Sequence, residues 1–203
     1  MPRAARLVLP KVPHHVTQRG NRRQPTFLCE ADYALYLDLL RFWSRKAETR
    51  VWAWCLMPNH VHIVLVPSGP DGLRATFAPL HRRYSWEINR REGWHGHLWQ
   101  TRFGSFPMDE AHVYACLRYV ELNPQRGRLV ARPEQWAWSS ARAHLGLAAD
   151  GLIDLDAARA RVDDWRAFLD EGLDEQDLKA IRAAERSGRL RLAPPRAEGG
   201  CAG

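Results

Sequence analysis

The sequence predicts an α+β protein built on a β-α-β-β-α-β core. Three observations carry that prediction. Two apolar runs at residues 51–57 and 60–66, the second rich in β-branched residues, are separated only by Pro58-Asn59, the mark of a tight antiparallel hairpin. Two stretches with helical periodicity, 31–47 and 72–91, lie on either side of that hairpin. A short strand pattern precedes the first helix and another follows the second. This order matches the ferredoxin-like split arrangement, an antiparallel sheet with both helices on one face.

Taken in order, the chain opens on a basic arm interrupted by prolines, and residues 14–18 then read as the first strand. In the helix over 31–47, the spacing turns Tyr33, Tyr36, Leu37, Leu40 and Trp43 inward. The hairpin and the helix over 72–91 follow, and a strand is expected around 97–106. A further helix is added after it, with apolar positions at 113, 116, 117 and 120, and Pro124 ends its pattern. From residue 152 onward, helical patterns over 154–170 and 173–186 are rich in Ala, Arg, Asp and Glu and poor in large apolar residues. They predict an appended helical segment, which divides the chain into residues 1–149 and an extension at 150–203 with a flexible tail. No internal repeat is apparent.

With 203 residues, 45% of them hydrophobic and 26% charged, the chain has the composition of a soluble globular protein with a full core. It lacks an apolar run long enough to span a membrane and a recognisable signal peptide, so no membrane partner is expected and the cytoplasm is the expected location. Cys29, Cys55, Cys116 and Cys201 are scattered without a Cys-x-x-Cys pair, which argues for reduced thiols and against a zinc knuckle or a disulfide framework. A monomer is slightly favoured over a homodimer.

Charge is segregated along the chain. The net charge is +7 and the pI about 9.7. Residues 1–24 carry six cations, Arg3, Arg6, Lys11, Arg19, Arg22 and Arg23, and no acid, whereas residues 150–185 hold eleven acids against five cations. Between them, residues 74–102 carry six arginines against two glutamates. Such a basic half suits a polyanion, and arginine can grip phosphate with two parallel hydrogen bonds and stack on bases.

Two motifs carry chemistry. Side chains in a strand alternate faces, so His60 and His62 project together from the 60–66 run while Val61 and Ile63 project away. Two imidazoles at this spacing can grip a divalent metal if other ligands join them. No third His, Cys or acid stands at a zinc spacing, so a hard ion with oxygen ligands fits better. Downstream, Tyr119 and Asn123 stand four apart and share one helical face, with Glu121 pointing away. A phenol there can attack phosphorus, and an amide oxygen can complete a metal's ligand set.

These residues belong to a set of segments that resembles one family. They are His15-Val16-Thr17-Gln18-Arg19-Gly20-Asn21, the run from Met57 to Pro67, Gly96 to Phe103, Leu117 to Pro124 and Trp138-Ser139-Ser140. Their order is that of the REP-associated tyrosine transposases, a branch of the single-tyrosine HUH (His-hydrophobic-His) transposases with the IS200-like domain. The resemblance covers about residues 12–146, and Ser187-Gly188-Arg189 echoes the family's Gly-Arg tail. The Gln125-Arg126-Gly127-Arg128 turn and the last residues depart from the family pattern.

The resemblance implies a metal-dependent endonuclease and strand transferase that acts on single-stranded DNA at hairpin-forming palindromic repeats. It implies Tyr119 as the nucleophile that forms a 5′-phosphotyrosine bond, His60, His62 and Asn123 as ligands, and Mg²⁺ or Mn²⁺ as the ion. Arg19, Asn21, Arg22, Arg23, Arg82, Arg83, Trp99 and Arg102 are the candidate DNA contacts. Trp99 and Phe103 read equally well as stacking platforms for unpaired bases or as core. Two other readings stay open: a hairpin-binding regulator that no longer uses the site, and a relaxase or rolling-circle initiator. The latter usually carry a second tyrosine beside the first, whereas Tyr114 is five positions from Tyr119 and off its face.

Overall fold

Four strands, β1 (His14–Arg19), β2 (Arg50–Met57), β3 (His60–Val66) and β4 (Gly104–Pro107), form one antiparallel sheet in the order β2-β3-β1-β4. This is the topology expected from the sequence, an α+β fold. The computed structural model describes residues 7–188. The expectations for Arg3 and Arg6, for Arg189 and for the tail with Cys201 fall outside them.

The two sheet faces have separate cores because strand side chains alternate, apart from an irregularity in β2 that sends both Trp52 and Ala53 to the same core. On one face Val16, Trp54, Leu56, Val61, Ile63 and Leu65 pack under α1 (Glu30–Lys46) and α2 (Gly72–Glu92), which bring Tyr36, Leu40, Leu73, Phe77 and Tyr84. Burial of each such side chain contributes about 1.5–3 kcal/mol. Leu37 and Trp43, expected inward, are only partly buried at the edge of this core. The other face carries Ala53, Cys55, Met57, Val64, Val66 and Phe106. It packs against α3 (Glu110–Glu121), whose Val113, Cys116, Leu117 and Val120 are the apolar positions read from the sequence. His60 and His62 have the parity of Val64 and Val66 and therefore lie on the α3 side.

After α3 the chain makes α4 (Asn123–Arg126), α5 (Ala141–His144), α6 (Leu155–Arg159), α7 (Trp165–Asp170) and α8 (Glu175–Ser187). The helices of the extension join the α3 core through Ala158, Val162, Trp165, Phe168, Leu169, Ile181 and Ala184.

Two expectations are corrected. The strand expected over 97–106 is confined to Gly104–Pro107; before it only an isolated bridge joins Trp99 to Gly20. Leu98 and Trp99 are adjacent yet both join the core under α1 and α2, which a strand alternating between two faces does not allow. The helix expected over 154–170 is broken into α6 and α7. Asp164 starts the second piece by accepting a hydrogen bond from the Ala167 N–H, a cap that requires non-helical backbone at its own position.

Candidate functional site

The site forms where the sheet's α3 face meets the ends of α3 and α8. Antiparallel pairing sets Thr17 opposite His62 and Arg19 opposite His60, so β1 adds Arg19 to the histidine face. Leu122 caps α3 and Asn123 begins α4, yet the four-residue spacing survives the break. Tyr119, Asn123, His60, Arg19, Arg126, Gly127, Arg182 and Glu185 line one cavity of about 510 Å³. A smaller one, about 290 Å³, adjoins it over His60, His62, Thr17 and Glu185.

Within this cluster His60 and His62 rings are 4.9 Å apart and nearly perpendicular. Tyr119 lies with its ring centroid 5.4 Å from that of His62 and 5.9 Å from that of His15. Its hydroxyl is 3.5 Å from Glu185 Oε2, and the Arg126 guanidinium sits 4.4 Å over its ring. His15 Nε2 is 3.0 Å from His62 Nδ1. Glu185 Oε1 is 3.5 Å from His62 Nδ1 and 3.9 Å from His15 Nδ1.

Burial decides the protonation of these groups. It holds His15 at a pKa of about 3, and burial with the nearby Arg19 does the same to His60. Burial, then His60 and His15, push His62 well below its ordinary value. All three rings are therefore neutral near pH 7, the form in which imidazole ligates a metal. Burial and Glu185 raise the Tyr119 pKa, opposed by Arg126 and Arg182, and burial raises that of Glu185.

A divalent cation fits these donors. His60 and Asn123 line the open cavity, His62 stands beside them, and His15 Nδ1 and Glu185 Oε1 are buried without a hydrogen-bond partner. Among the described residues, the His, Cys and acidic donors close enough to hold an ion are those of His15, His62 and Glu185, all within 4.8 Å.

The expected DNA contacts are spread more widely. Arg19 is in the site. Asn21, Arg22 and Arg23 form a 3₁₀ turn beside it, with φ of 53° and 61° at the two arginines. Such left-handed backbone costs a non-glycine residue about 1–2 kcal/mol. It is held by Asn59 Nδ2, which donates to the Arg23 carbonyl at 2.9 Å, and by Gly20, where a Cβ would come within 2.4 Å of the Gln24 carbonyl oxygen. Arg82, Trp99, Arg102 and Phe103 line a separate cavity of about 690 Å³. Trp99 and Phe103 are core residues that also wall this cavity, and the Trp99 indole N–H has no partner. Gln18 and Gln100 line both this cavity and the one over the histidines. Arg83 instead pairs with Glu87 at 2.6 Å and stacks on Trp86.

His15, Arg126, Arg182 and Glu185 were not among the expected site residues. Strand parity relative to β3 could have found His15 only with the register known. Glu185 lies in the acidic extension, and although the family-like Ser187-Gly188-Arg189 follows it closely, no spacing marks Glu185 itself.

No curated protein matches the chain. A solved structure of a REP-associated tyrosine transposase bound to a REP hairpin is 20% identical, covers 76% of this chain and 93% of that chain, and superposes with a TM-score of 0.57. A second, described as a transposase from Deinococcus radiodurans R1, is 22% identical over 59% of this chain and 96% of its own, with a TM-score of 0.41. At 20% identity the first likeness is one of fold. The model of the family described as transposase IS200-like matches residues 9–123, more than half of the chain, and this protein therefore belongs to the IS200-like transposases.

Proposed function

We propose that this transposase cuts and rejoins single-stranded DNA at hairpin-forming repeats through a 5′-phosphotyrosine at Tyr119. What carries the reading is one cavity walled by a phenol, imidazole and carboxamide donors and the guanidinium groups of Arg19, Arg126 and Arg182. Hydrolases that use water need no phenol at such a position; a protein nucleophile does. The REP-associated relative is bound to a REP hairpin, which supports a palindromic hairpin as substrate here. The cytoplasm is the proposed place of action; residues 1–149 supply the nucleophile and the proposed metal ligands, and the extension adds Arg182 and Glu185 to the same cavity.

The three arginines suit the phosphates on either side of the scissile bond. The Tyr119 oxygen attacks phosphorus, the Tyr119–phosphorus bond forms, and the bond to the 3′-oxygen breaks, leaving a free 3′-hydroxyl. The phenol proton has an acceptor in reach at Glu185 Oε2, and that proton can then pass to the departing 3′-oxygen. Mg²⁺ or Mn²⁺, held by His60, His62 and Asn123, would neutralise charge on the scissile phosphate. Because the phosphodiester energy is kept in the tyrosine ester, a second 3′-hydroxyl can reverse the reaction and rejoin strands.

The test is covalent. Full-length protein with a labelled single-stranded hairpin and Mn²⁺ is expected to give an SDS-resistant adduct that Tyr119→Phe abolishes and Tyr114→Phe retains. An adduct surviving in Tyr119→Phe refutes the assignment, and hairpin binding with no adduct under any metal favours a non-catalytic regulator.

A further inference from the structure

The two histidines proposed to hold the cation each have Nδ1 occupied, by different partners. His60 Nδ1 lies 2.6 Å from Asn59 Oδ1. That carboxamide is oriented from its other end, because Asn59 Nδ2 donates to the Arg23 carbonyl. Its oxygen faces the imidazole and can only accept. The proton in this 2.6 Å contact therefore belongs to His60 Nδ1, and the neutral imidazole that a metal requires then leaves Nε2 bare.

For His62 the same outcome follows through a chain of three side chains. His15 Nδ1 and Glu185 Oε1 are both buried, both without a hydrogen-bond partner, and 3.9 Å apart, and the same oxygen stands 3.5 Å from His62 Nδ1, where it too favours a proton on that nitrogen. A carboxylate offers only acceptors, so the pair is complementary when the His15 proton is on Nδ1. His15 Nε2 is then an acceptor, and the proton in the 3.0 Å contact between the two rings belongs to His62 Nδ1. His62 Nε2 is left bare in turn.

We propose that Asn59 and a Glu185–His15 relay are positioning elements that lock His60 and His62 as Nδ1–H tautomers, so that both present Nε2 to the cation. The proposal rests on the reading that these two histidines bind that cation. Ligating histidines are generally oriented in this way, by an acceptor on the other ring nitrogen. It gives the C-terminal extension a part in the chemistry, since Glu185 lies on α8. It also joins the Arg22-Arg23 turn to the metal site, because one asparagine holds both.

The competing arrangement puts the ion directly between His15, His62 and Glu185, whose donor atoms are near enough. His15 is fully buried there, packed edge-on against Phe106 and Tyr119. An ion at that point would leave out His60 and Asn123, which line the open cavity, and catalytic sites keep an open position for substrate.

Two readouts besides activity test the relay on full-length protein. Long-range ¹H–¹⁵N spectra of metal-free, ¹⁵N-histidine-labelled protein report the tautomer of each ring, and Mn²⁺ titration by electron paramagnetic resonance reports affinity. Wild type is expected to show His60 and His62 as Nδ1–H forms. Asn59→Leu is expected to release His60, and Glu185→Ala to release His62, each with about 10–100-fold weaker Mn²⁺ binding. Asn59→Asp and Glu185→Gln, which keep an oxygen acceptor, are expected to restore both tautomer and affinity. An Nε2–H form of either ring in the wild type overturns the proposal, as do unchanged tautomers in Asn59→Leu and Glu185→Ala. Loss of Mn²⁺ binding in Glu185→Gln as severe as in Glu185→Ala, with tautomers intact, overturns it in favour of direct ligation. His60→Ala and His62→Ala separate the two levels: if they too leave Mn²⁺ binding unchanged, the cation site itself is wrong, and if they alone abolish it, only the relay is.

Discussion

Glu121, two residues after Tyr119, is wholly buried and spends its carboxylate on three donors: Ser140 Oγ at 2.6 Å, Trp165 Nε1 at 2.7 Å and His144 Nδ1. Those donors come from the loop before α5, from α5 and from α7, so one side chain ties the Tyr119 helix to the C-terminal layer. A buried carboxylate surrounded by donors is costly to remove because its partners lose their acceptor. Glu121→Ala is expected to lower the free energy of unfolding by about 3–5 kcal/mol, and Glu121→Gln by less. Urea denaturation measures it, and a loss under about 1 kcal/mol for Glu121→Ala would remove this residue as the tie. The sequence allowed only the statement that Glu121 points away from Tyr119 and Asn123. At this scale His60, His62, Tyr119 and Asn123 were legible because each pair is close in sequence and obeys one period. His15 and Glu185 were not, because their placement depends on strand register and on how α8 docks.

Elements were legible where one period ran long enough, as in β2, β3, α1 and α2, and failed where local patterns compete with tertiary packing. Residues 97–103 look like a strand because apolar side chains are frequent, yet Leu98, Trp99 and Phe103 are buried from a loop that walls a cavity. The start of α1 shows a signal that local chemistry does supply. Asp32 accepts from the Leu28 and Cys29 N–H groups and pairs with Arg91 of α2, fastening the two helices together. Burial pulls its pKa up, but Arg91 and the two N–H groups outweigh that and hold the carboxyl below its ordinary value. A depressed folded-state pKa contributes stability that is present above the unfolded-state value of about 4 and is lost as pH falls through the folded one. Asp32→Asn is therefore expected to cost about 2 kcal/mol at pH 7 and progressively less below pH 4. Thermal unfolding of both proteins across pH 2–7 decides it; parallel curves would mean that the carboxylate charge contributes nothing.

On the scale of the whole molecule, the sequence located the basic half but not its surfaces. Among the described residues the acidic extension is not a separate acidic body: it buries Trp165, Phe168 and Ile181 in the α3 core and delivers Arg182 and Glu185 to the site. The arginines of the basic half divide into three groups. Arg19 and Arg126 wall the site, Arg22 and Arg23 are exposed on the turn beside it, and Arg82 and Arg102 edge the aromatic cavity that shares Gln18 and Gln100 with the histidine cavity. If a single strand runs from the site into that cavity, its phosphates meet Arg82 and Arg102 and release counterions there. For single strands the logarithm of affinity falls with the logarithm of salt by about 0.7 per phosphate contact. Arg82→Ala with Arg102→Ala is expected to make that slope shallower by about 1–1.5, equally for cognate and scrambled hairpins, since phosphate contacts carry no sequence. Arg83→Ala is the internal control, because its guanidinium is already held by Glu87 and Trp86. Fluorescence anisotropy over a salt series measures all three. A slope unchanged by the double substitution, but shallower in Arg22→Ala with Arg23→Ala, would route the strand over the turn at Asn21–Arg23 and away from the aromatic cavity.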